Sequence, residues 1–157
     1  MDAEFNDNPH RRLNILTGEW VLVSPHRTKR PWQEKKKKSA IDKRPQYDPS
    51  CYLCPGNERM GGAVNPDYSK PFSFTNDFSA LLQNVDNVKF SDGLLMAESE
   101  SGICKVVCFS PNHSLTLPLM TEEAIVDVIT LWQKEYRELG AKESINHVQI
   151  FENKGDI

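Results

Sequence analysis

The sequence predicts an α+β fold in which an antiparallel sheet carries one helix on a face, and three segments support this prediction. Residues 19–23 and 103–109 are rich in β-branched and aromatic side chains, which is typical of strands, and each run is followed by a Ser-Pro pair. In residues 121–140, apolar side chains recur at helical spacing. Strands separated by loops, together with one long helix, indicate an α+β domain.

The predicted helix has recognisable ends. Thr121 is a candidate N-cap, Glu122 and Glu123 place negative charge in the first turn, and Gly140 stands where a left-handed terminal residue belongs. The expected buried stripe consists of Ile125, Val128, Ile129, Trp132, Tyr136 and Leu139. Two shorter alternating runs, residues 72–74 and 148–151, predict further strands before and after this helix.

Composition limits the class of protein. The 157 residues have the length of one domain, and we expect residues 1–157 to form it. A content of 38% hydrophobic and 26% charged residues excludes a collagen, a long coiled coil and a wholly disordered chain. No stretch approaches the ~20 apolar residues of a membrane-spanning helix, and the acidic start is unlike a signal peptide. We therefore expect a soluble cytoplasmic protein without a membrane partner.

Charge is distributed unevenly along the chain. Residues 1–50 carry 11 Lys+Arg against 7 Asp+Glu, whereas residues 51–157 carry 8 against 15. The basic stretch 34–44 has little apolar content, so we interpret it as a solvated loop within the domain. A nucleic-acid-binding arm is the alternative, but the chain as a whole is acidic and no aromatic stacking pattern accompanies the lysines. We expect no nucleic-acid partner.

The pair Cys51 and Cys54 is the sharpest local signal for chemistry. Two thiolates three positions apart on a tight loop can reach one tetrahedral ion, with zinc as the favoured metal. A redox pair is the alternative, but a thioredoxin-type motif should open a helix after a strand, whereas this one is flanked by Pro49 and Pro55. Zinc is also favoured over a disulfide in a reducing compartment.

A tetrahedral ion needs further ligands, and His113 is the best third candidate because it lies on a polar loop just after a strand. His10, His26 and His147 are its rivals, and no fourth ligand is apparent. The other two cysteines, Cys104 and Cys108, lie roughly 13 Å apart at strand rise, which is too far to share one ion. We interpret both as core residues.

Other loops carry side chains suited to phosphate and to hydroxyl groups. Arg27 and Arg30 lie in a proline-bracketed loop, and the planar fork of arginine suits phosphate oxygens; a solvated basic loop is an equal alternative. The pair Asn76-Asp77 is either an Asx turn or an amide and a carboxylate presented to a sugar. Asn153 belongs either to a frayed terminus or to a phosphate-contacting loop.

Nine blocks occur in a recognisable order: Pro9-His10-Arg11-Arg12, the run from Leu16 to Arg27 containing Thr17-Gly18-Glu19-Trp20 and Ser24-Pro25-His26-Arg27, Lys29-Arg30-Pro31-Trp32, Cys51-x-x-Cys54, Asn65-Pro66-Asp67-Tyr68, Asn76-Asp77-Phe78, Cys108-Phe109-Ser110-Pro111, Leu117-Pro118, and the run from Val148 to Gly155. Together they resemble the amino-terminal half of the galactose-1-phosphate uridylyltransferases, a family of the histidine triad superfamily. The likeness spans nearly the whole chain.

The resemblance implies an incomplete histidine-triad-like half-barrel and a double displacement. A histidine attacks the α-phosphorus of UDP-glucose, glucose 1-phosphate leaves, and galactose 1-phosphate then takes the uridylyl group to give UDP-galactose. It also implies a homodimer and a structural zinc ion. The implied zinc ligands are Cys51, Cys54 and His113. The implied phosphate contacts are Arg27, Arg30 and Asn153, and the implied uridine-ribose contacts are Met60, Asn76 and Asp77.

The sequence departs from the family in one respect. The stretch that holds the nucleophile and the fourth zinc ligand is expected beyond Gly155, and none of the four histidines matches the nucleophile's motif. We therefore expect this chain alone to be catalytically silent. Two alternatives are a non-catalytic zinc- and nucleotide-binding module or half-enzyme that needs a partner, and a superfamily phosphorylase with another leaving group.

Overall fold

The computed structural model describes residues 3–29 and 44–152 of the chain. They belong to two compact units, the first within Met1–Asp42 and Phe74–Val106, the second within Lys43–Ser73 and Val107–Ile157. The strands are β1 (His10–Asn14), β2 (Glu19–Val23), β3 (Phe72–Thr75), β4 (Lys89–Asp92), β5 (Leu95–Ser99) and β6 (Lys105–Cys108); the α-helix is α1 (Glu122–Gly140), and 3-10 helices cover Ala3–Asn6, Pro25–Lys29 and Leu117–Leu119.

The first unit contains a four-stranded antiparallel sheet with the strand order β2-β1-β5-β4. Its two hairpin turns each contain a glycine with positive φ, Gly18 at +72° and Gly93 at +57°, a conformation that residues with a Cβ rarely adopt. Phe5 and His10 are buried against one face of the sheet, with their ring centroids 5.1 Å apart. The start of β1 is thereby anchored to the amino-terminal 3-10 helix.

Charged side chains connect the strands on the opposite face. Arg11 of β1 lies across from Glu98 of β5 and donates to its carboxylate at 2.6 Å. This hydrogen bond, aided by Lys89 on β4, lowers the pKa of Glu98. The Arg11 guanidinium also lies 4.8 Å from the Trp20 ring of β2, so one arginine contacts both neighbouring strands.

The predicted strands are confirmed at three of four places. β2 covers residues 19–23, β3 covers the run that begins at residue 72, and β6 occupies the centre of residues 103–109. β3 and β6 pair in a two-stranded sheet. The strand predicted over 148–151 is wrong, because this segment has no strand partner within the described part of the chain and a single extended segment is not a strand.

The predicted helix is confirmed as α1, and Thr121 caps it by accepting a hydrogen bond from the Ala124 N–H. The buried face differs from the prediction. Val128 and Glu135 are its most buried residues, whereas Ile129 and Tyr136 are 41% and 55% exposed. Glu135 is buried because its carboxylate accepts a hydrogen bond from Ser73 Oγ of β3. A pattern of apolar residues could not reveal a buried carboxylate.

The carboxyl end of α1 also differs from the prediction. Gly140 is the last helical residue and does not have a positive φ. Ala141 follows in a right-handed helical conformation and donates its N–H to the carbonyl of Arg137, so no left-handed residue is needed to close the final turn. Within residues 3–29 and 44–152, no helix combines the length and the apolar character needed to cross a membrane.

Two valines on α1 give a direct test of its buried face. Val128 is completely buried and Val126 is 58% exposed, so Val→Ala removes the same atoms and gains the same helix propensity at both positions. We expect Val128→Ala to lower the free energy of unfolding by about 2 kcal/mol and Val126→Ala to change it by less than about 0.5 kcal/mol. Urea unfolding of both variants measures the difference, and equal effects would contradict this orientation of the helix.

Candidate functional site

A pocket of about 600 Å³ lies in the first unit, and we call it the loop pocket. Four segments line it: residues 26–29 of the second 3-10 helix, residues 75–79, residues 81–84 and residues 102–104. Among its lining residues are Arg27, Asn76 and Asp77, which sequence analysis assigned to the same ligand. The structure therefore brings together three candidate residues from segments about 50 positions apart in the chain.

The turn at Asn76 is held by three hydrogen bonds. Asn76 Oδ1 accepts from the Phe78 N–H at 2.9 Å, and Ser79 Oγ donates to the Asn76 carbonyl at 2.8 Å. The Asn76 N–H donates to the Cys104 carbonyl at 2.9 Å. These contacts confirm the Asx-turn interpretation. Asn76 Oδ1 is thus engaged within the turn, and the Nδ2 group is the donor that the side chain can offer to a ligand.

The cationic side of the loop pocket comes from the 3-10 helix Pro25–Lys29. Arg27 and Lys29 are exposed side chains that line it. The Lys29 ammonium lies 2.8 Å from the carboxylate of Asp7, and this hydrogen bond lowers the pKa of Asp7. Because both members of that pair are well exposed, water and salt screen it. The 3-10 helix thus contributes two cationic side chains to the pocket lining, and one of them, Lys29, is paired with Asp7.

Ser24 and His26, which both precede Arg27, attach this helix to the segment after the Asn76 turn. Ser24 Oγ donates to the Ala80 carbonyl at 2.7 Å, and His26 Nε2 lies 2.7 Å from the Ser79 carbonyl. The sequence indicated His26 only as a rival metal ligand and indicated no role for Ser24. The only sequence signal was their position next to Arg27, because the partners are main-chain carbonyls that carry no residue-specific pattern.

The far wall of the loop pocket depends on a glycine. Gly102 donates its N–H to the Leu82 carbonyl at 3.0 Å. A Cβ added at Gly102 would lie only 2.7 Å from Leu81 Cδ1, a distance at which one of the two groups must move. Because residue 102 has no side chain, Leu81 and Leu82 can approach the segment that leads into β6.

A second candidate site lies in the second unit, where Cys51, Cys54 and His113 converge. Their candidate ligand atoms lie within 4.8 Å of one another, with Cys54 Sγ 3.6 Å from His113 Nδ1. The Cys54 N–H donates to the Cys51 carbonyl at 3.2 Å, which closes the tight loop. His113 is placed by its own N–H, which donates to the Gln46 carbonyl at 2.8 Å.

The separation of Cys54 Sγ and His113 Nδ1 is the one expected for two ligands of a tetrahedral metal ion. Bonds of about 2.3 Å to sulfur and about 2.05 Å to nitrogen at a tetrahedral angle separate the two ligand atoms by about 3.6 Å. The Leu53 N–H donates to Cys51 Sγ at 3.4 Å, a contact that favours a thiolate. Burial raises the pKa of the Cys54 thiol, so a cation would have to supply the charge that stabilises its thiolate.

Side chains from residues 57–68 hold the carbonyls of the cysteine loop. Asn57 Nδ2 donates to the Asp48 and Cys51 carbonyls at 2.9 and 2.8 Å. Asn65 Nδ2 donates to the Tyr52 and Cys54 carbonyls at 3.0 and 3.1 Å. The Tyr68 hydroxyl donates to the Leu53 carbonyl at 2.7 Å, and burial raises the pKa of this phenol. No sequence pattern indicated a supporting role for these three residues.

Comparison with known proteins identifies the family. The family described as galactose-1-phosphate uridyl transferase, N-terminal domain, matches residues 1–157. The chain belongs to this family. It is 54% identical over 153 residues to the galactose-1-phosphate uridylyltransferase of Haemophilus influenzae, covering 97% of this chain and 43% of that protein. It is 43% identical over 169 residues to the enzyme of that name from Saccharomyces cerevisiae, covering 98% and 46%.

The chain thus spans somewhat less than half the length of these curated relatives. A solved structure described as a uridylyltransferase aligns with 82% of this chain and 34% of its own, at 21% identity and a TM-score of 0.56. This likeness shows the fold alone. The uridylyltransferase-like arrangement agrees with the α+β class and the open antiparallel sheet described above.

The other residues predicted from the sequence of this uridylyltransferase-family chain lie outside the loop pocket, outside the described residues, or in a different environment from the one predicted. Met60 lies in the second unit, in a turn closed by the Gly62 N–H donating to the Arg59 carbonyl. Arg30, Asn153 and residues 34–43 of the basic loop lie outside the described residues. Cys108 is buried as predicted, but Cys104 is only half-buried and lines the loop pocket, because it precedes β6 rather than lying within it.

The close approach at Gly102 generates a prediction about the pocket wall. Gly102→Ala should lower the free energy of unfolding by about 1–3 kcal/mol, because Leu81 has to leave its position. Gly140→Ala is the matched control, since its new Cβ would meet nothing closer than 4.0 Å; the gain in helix propensity should raise stability. Chemical denaturation measures both effects, and Leu81 methyl resonances report the displacement. A neutral Gly102→Ala would contradict the described packing.

Proposed function

We propose that this chain provides the nucleotide-binding and metal-binding part of a UDP-glucose–hexose-1-phosphate uridylyltransferase. The reaction transfers UMP from UDP-glucose to galactose 1-phosphate through a uridylyl-histidine intermediate. Family membership supports the reaction class. The observation that carries the proposal for this chain is the convergence of Arg27, Asn76 and Asp77 on one pocket. UDP-galactose and hexose 1-phosphates are the remaining proposed substrates.

The two sides of the loop pocket suit the two ends of a nucleoside diphosphate. Arg27 would donate to the phosphate oxygens, and Lys29 would add positive charge beside it. On the other side, Asn76 Nδ2 would donate to a ribose hydroxyl, and the Asp77 carboxylate would accept from one. A covalent bond between ribose and phosphate then requires that both sides keep a fixed spacing. The further contacts proposed from the resemblance are Arg30, Met60 and Asn153.

Three of the four histidines have environments unsuited to attack on phosphorus, and the fourth, the exposed His147, lies outside the loop pocket. His10 is completely buried; its Nδ1 lies 2.9 Å from the Asn8 carbonyl and its Nε2 accepts from Arg12 at 3.0 Å. His26 uses Nε2 for the Ser79 carbonyl, and its Nδ1 is buried. His113 belongs to the candidate metal centre. We therefore assign binding and orientation of the nucleotide, rather than the nucleophile, to this part of the enzyme.

The metal centre is proposed to hold a structural zinc ion through Cys51, Cys54 and His113, with a further ligand from outside this set. Zinc there would cross-link the cysteine loop to the loop that follows β6, and would neutralise thiolate charge that burial disfavours. The ion would take no part in phosphoryl transfer. We further propose that the enzyme acts as a homodimer in the cytoplasm.

Nucleotide binding is tested by isothermal titration of the chain with UDP-glucose. Arg27→Ala should weaken binding about 10- to 100-fold, because hydrogen bonds to a charged phosphate contribute about 1.5–3 kcal/mol. Its melting temperature should stay near that of the wild type, since Arg27 is an exposed side chain. Arg137→Ala, which removes an exposed arginine from α1, is the matched control and should bind like the wild type.

A second measurement locates the ligand. Cys104 lines the loop pocket and is half-buried, so bound UDP-glucose should slow its alkylation, as followed by mass spectrometry of the Cys104 peptide. Nucleotide binding at this pocket would be refuted if the wild type did not bind UDP-glucose, or if Arg27→Ala and Arg137→Ala bound it with equal affinity.

Metal content separates the two kinds of cysteine. Cys51→Ser should lose most of the bound zinc and lower the melting temperature by roughly 5 °C, which corresponds to about 2 kcal/mol at this chain length. Cys104→Ser should keep the zinc content of the wild type, because Cys104 is outside the metal cluster. Elemental analysis of purified protein measures both. Equal zinc content in the two variants would show that the cysteine loop is not the metal site.

A further inference from the structure

His26 lines the loop pocket next to Arg27 and contacts the segment that follows the Asn76 turn. It precedes Arg27 in the 3-10 helix Pro25–Lys29, and its Nε2 lies 2.7 Å from the Ser79 carbonyl oxygen. A carbonyl oxygen only accepts, so Nε2 carries the proton of this hydrogen bond. The ring therefore connects the 3-10 helix that carries Arg27 to Ser79, a residue 53 positions further along the chain than His26.

The carbonyl that His26 contacts belongs to a segment held by several hydrogen bonds. Ser79 is 8% exposed, and its hydroxyl donates back to the Asn76 carbonyl. The Asn76 side chain in turn accepts from the Phe78 N–H, and the Asn76 N–H is bonded to the Cys104 carbonyl. A displacement of the Ser79 carbonyl would therefore disturb the turn that presents Asn76 and Asp77 to the pocket.

The other ring nitrogen of His26 makes no competing hydrogen bond in the part of the chain that the structure describes. His26 Nδ1 is buried and has no hydrogen-bond partner among the described residues. Because it is inaccessible, a ligand in the loop pocket does not reach it in this arrangement. Within residues 3–29 and 44–152 the ring thus has one hydrogen-bond partner, the Ser79 carbonyl, and Ser24 adds a second hydrogen bond to the next carbonyl, that of Ala80.

We propose that His26 is a positioning residue that sets the spacing between Arg27 and the Asn76–Asp77 turn through its hydrogen bond to the Ser79 carbonyl. The proposal rests on the nucleotide-binding function proposed above. A nucleoside diphosphate needs both sides of the pocket at once, because ribose and phosphate are covalently joined. A nucleoside without phosphate needs only the Asn76–Asp77 side. Loss of the spacing should therefore lower the affinity for a nucleoside diphosphate and leave the affinity for a nucleoside unchanged.

Two substitutions separate the nitrogen atoms of the ring. His26→Gln places an amide nitrogen near the position of Nε2 and can still donate to the Ser79 carbonyl. His26→Asn places its amide near Nδ1 and cannot span the distance to Ser79. His26→Ala removes both groups, and His147→Gln, at an exposed histidine, is the matched control.

Titration with UDP-glucose and ligand-observed NMR with uridine give the readout. UDP-glucose should bind about tenfold more weakly to His26→Asn and His26→Ala, but within about threefold of the wild type to His26→Gln and His147→Gln. Uridine should bind all variants within about twofold. Equal affinity of the wild type and His26→Asn for UDP-glucose would overturn the positioning role alone. So would an equal loss in His26→Gln and His26→Asn, or a loss of uridine affinity that matches the loss for UDP-glucose.

Two further outcomes distinguish this proposal from the function on which it rests. Failure of the wild type to bind UDP-glucose would overturn both. Ring nitrogen NMR of the free chain tests the geometry without a ligand: we expect a proton on Nε2 of His26, and a neutral ring with its proton on Nδ1 would overturn the hydrogen bond to Ser79 and the positioning role with it.

Discussion

The loop pocket depends on the hydrogen bonds that reach the Ser79 and Ala80 carbonyls. These carbonyls follow β3 in an irregular segment, where no neighbouring strand pairs with them in the described chain. Buried main-chain oxygens need donors, and here the donors are the Ser24 hydroxyl and the His26 ring. The requirement to satisfy two carbonyls thereby also fixes the position of Arg27. A pocket assembled in this way is ordered before any ligand arrives, which reduces the ordering entropy lost on binding.

In the cysteine loop of the second unit, side-chain donors likewise bind main-chain carbonyls, but the donors are different residues. Five carbonyls, those of Asp48, Cys51, Tyr52, Leu53 and Cys54, accept from the amides of Asn57 and Asn65 and from the hydroxyl of Tyr68. Because the carbonyls are held by these donors, the Leu53 N–H remains directed at Cys51 Sγ. The loop backbone therefore offers partial positive charge to a thiolate, as successive N–H groups do at anion sites.

Much of the fold was predictable because its signals are local. The strand over 19–23 and the cap at Thr121 are encoded by residue types within a few positions, and both are confirmed. The buried face of α1 was not predictable, since the buried Glu135 accepts a hydrogen bond from a partner on β3, 62 residues away in the chain. A run such as 148–151 has strand-like composition, but composition cannot supply the neighbouring strand that makes a segment part of a sheet.

In the candidate sites, too, residues with a local sequence signal were predictable and residues that act through distant partners were not. Cys51 and Cys54 are recognisable from their spacing and His113 from its loop after a strand, whereas the roles of Arg27, Asn76 and Asp77 stayed open until the family resemblance implied them. Residues that hold these groups in place were missed, because Ser24, His26, Asn57 and Asn65 all bind main-chain carbonyls, which are identical at every position of the chain. Cys104 was assigned to the core, since its exposure follows from where β6 begins rather than from its own side chain.

The alternation of the two units along the chain has a consequence for anyone who wishes to dissect the protein. Chain boundaries at residues 42–43, 73–74 and 106–107 divide each unit into two separate stretches. No single cut in the gene can release one unit whole: a break after residue 73 removes half of the sheet from the first and the helix from the second. Isolating either one would require fusing its two stretches through a new linker.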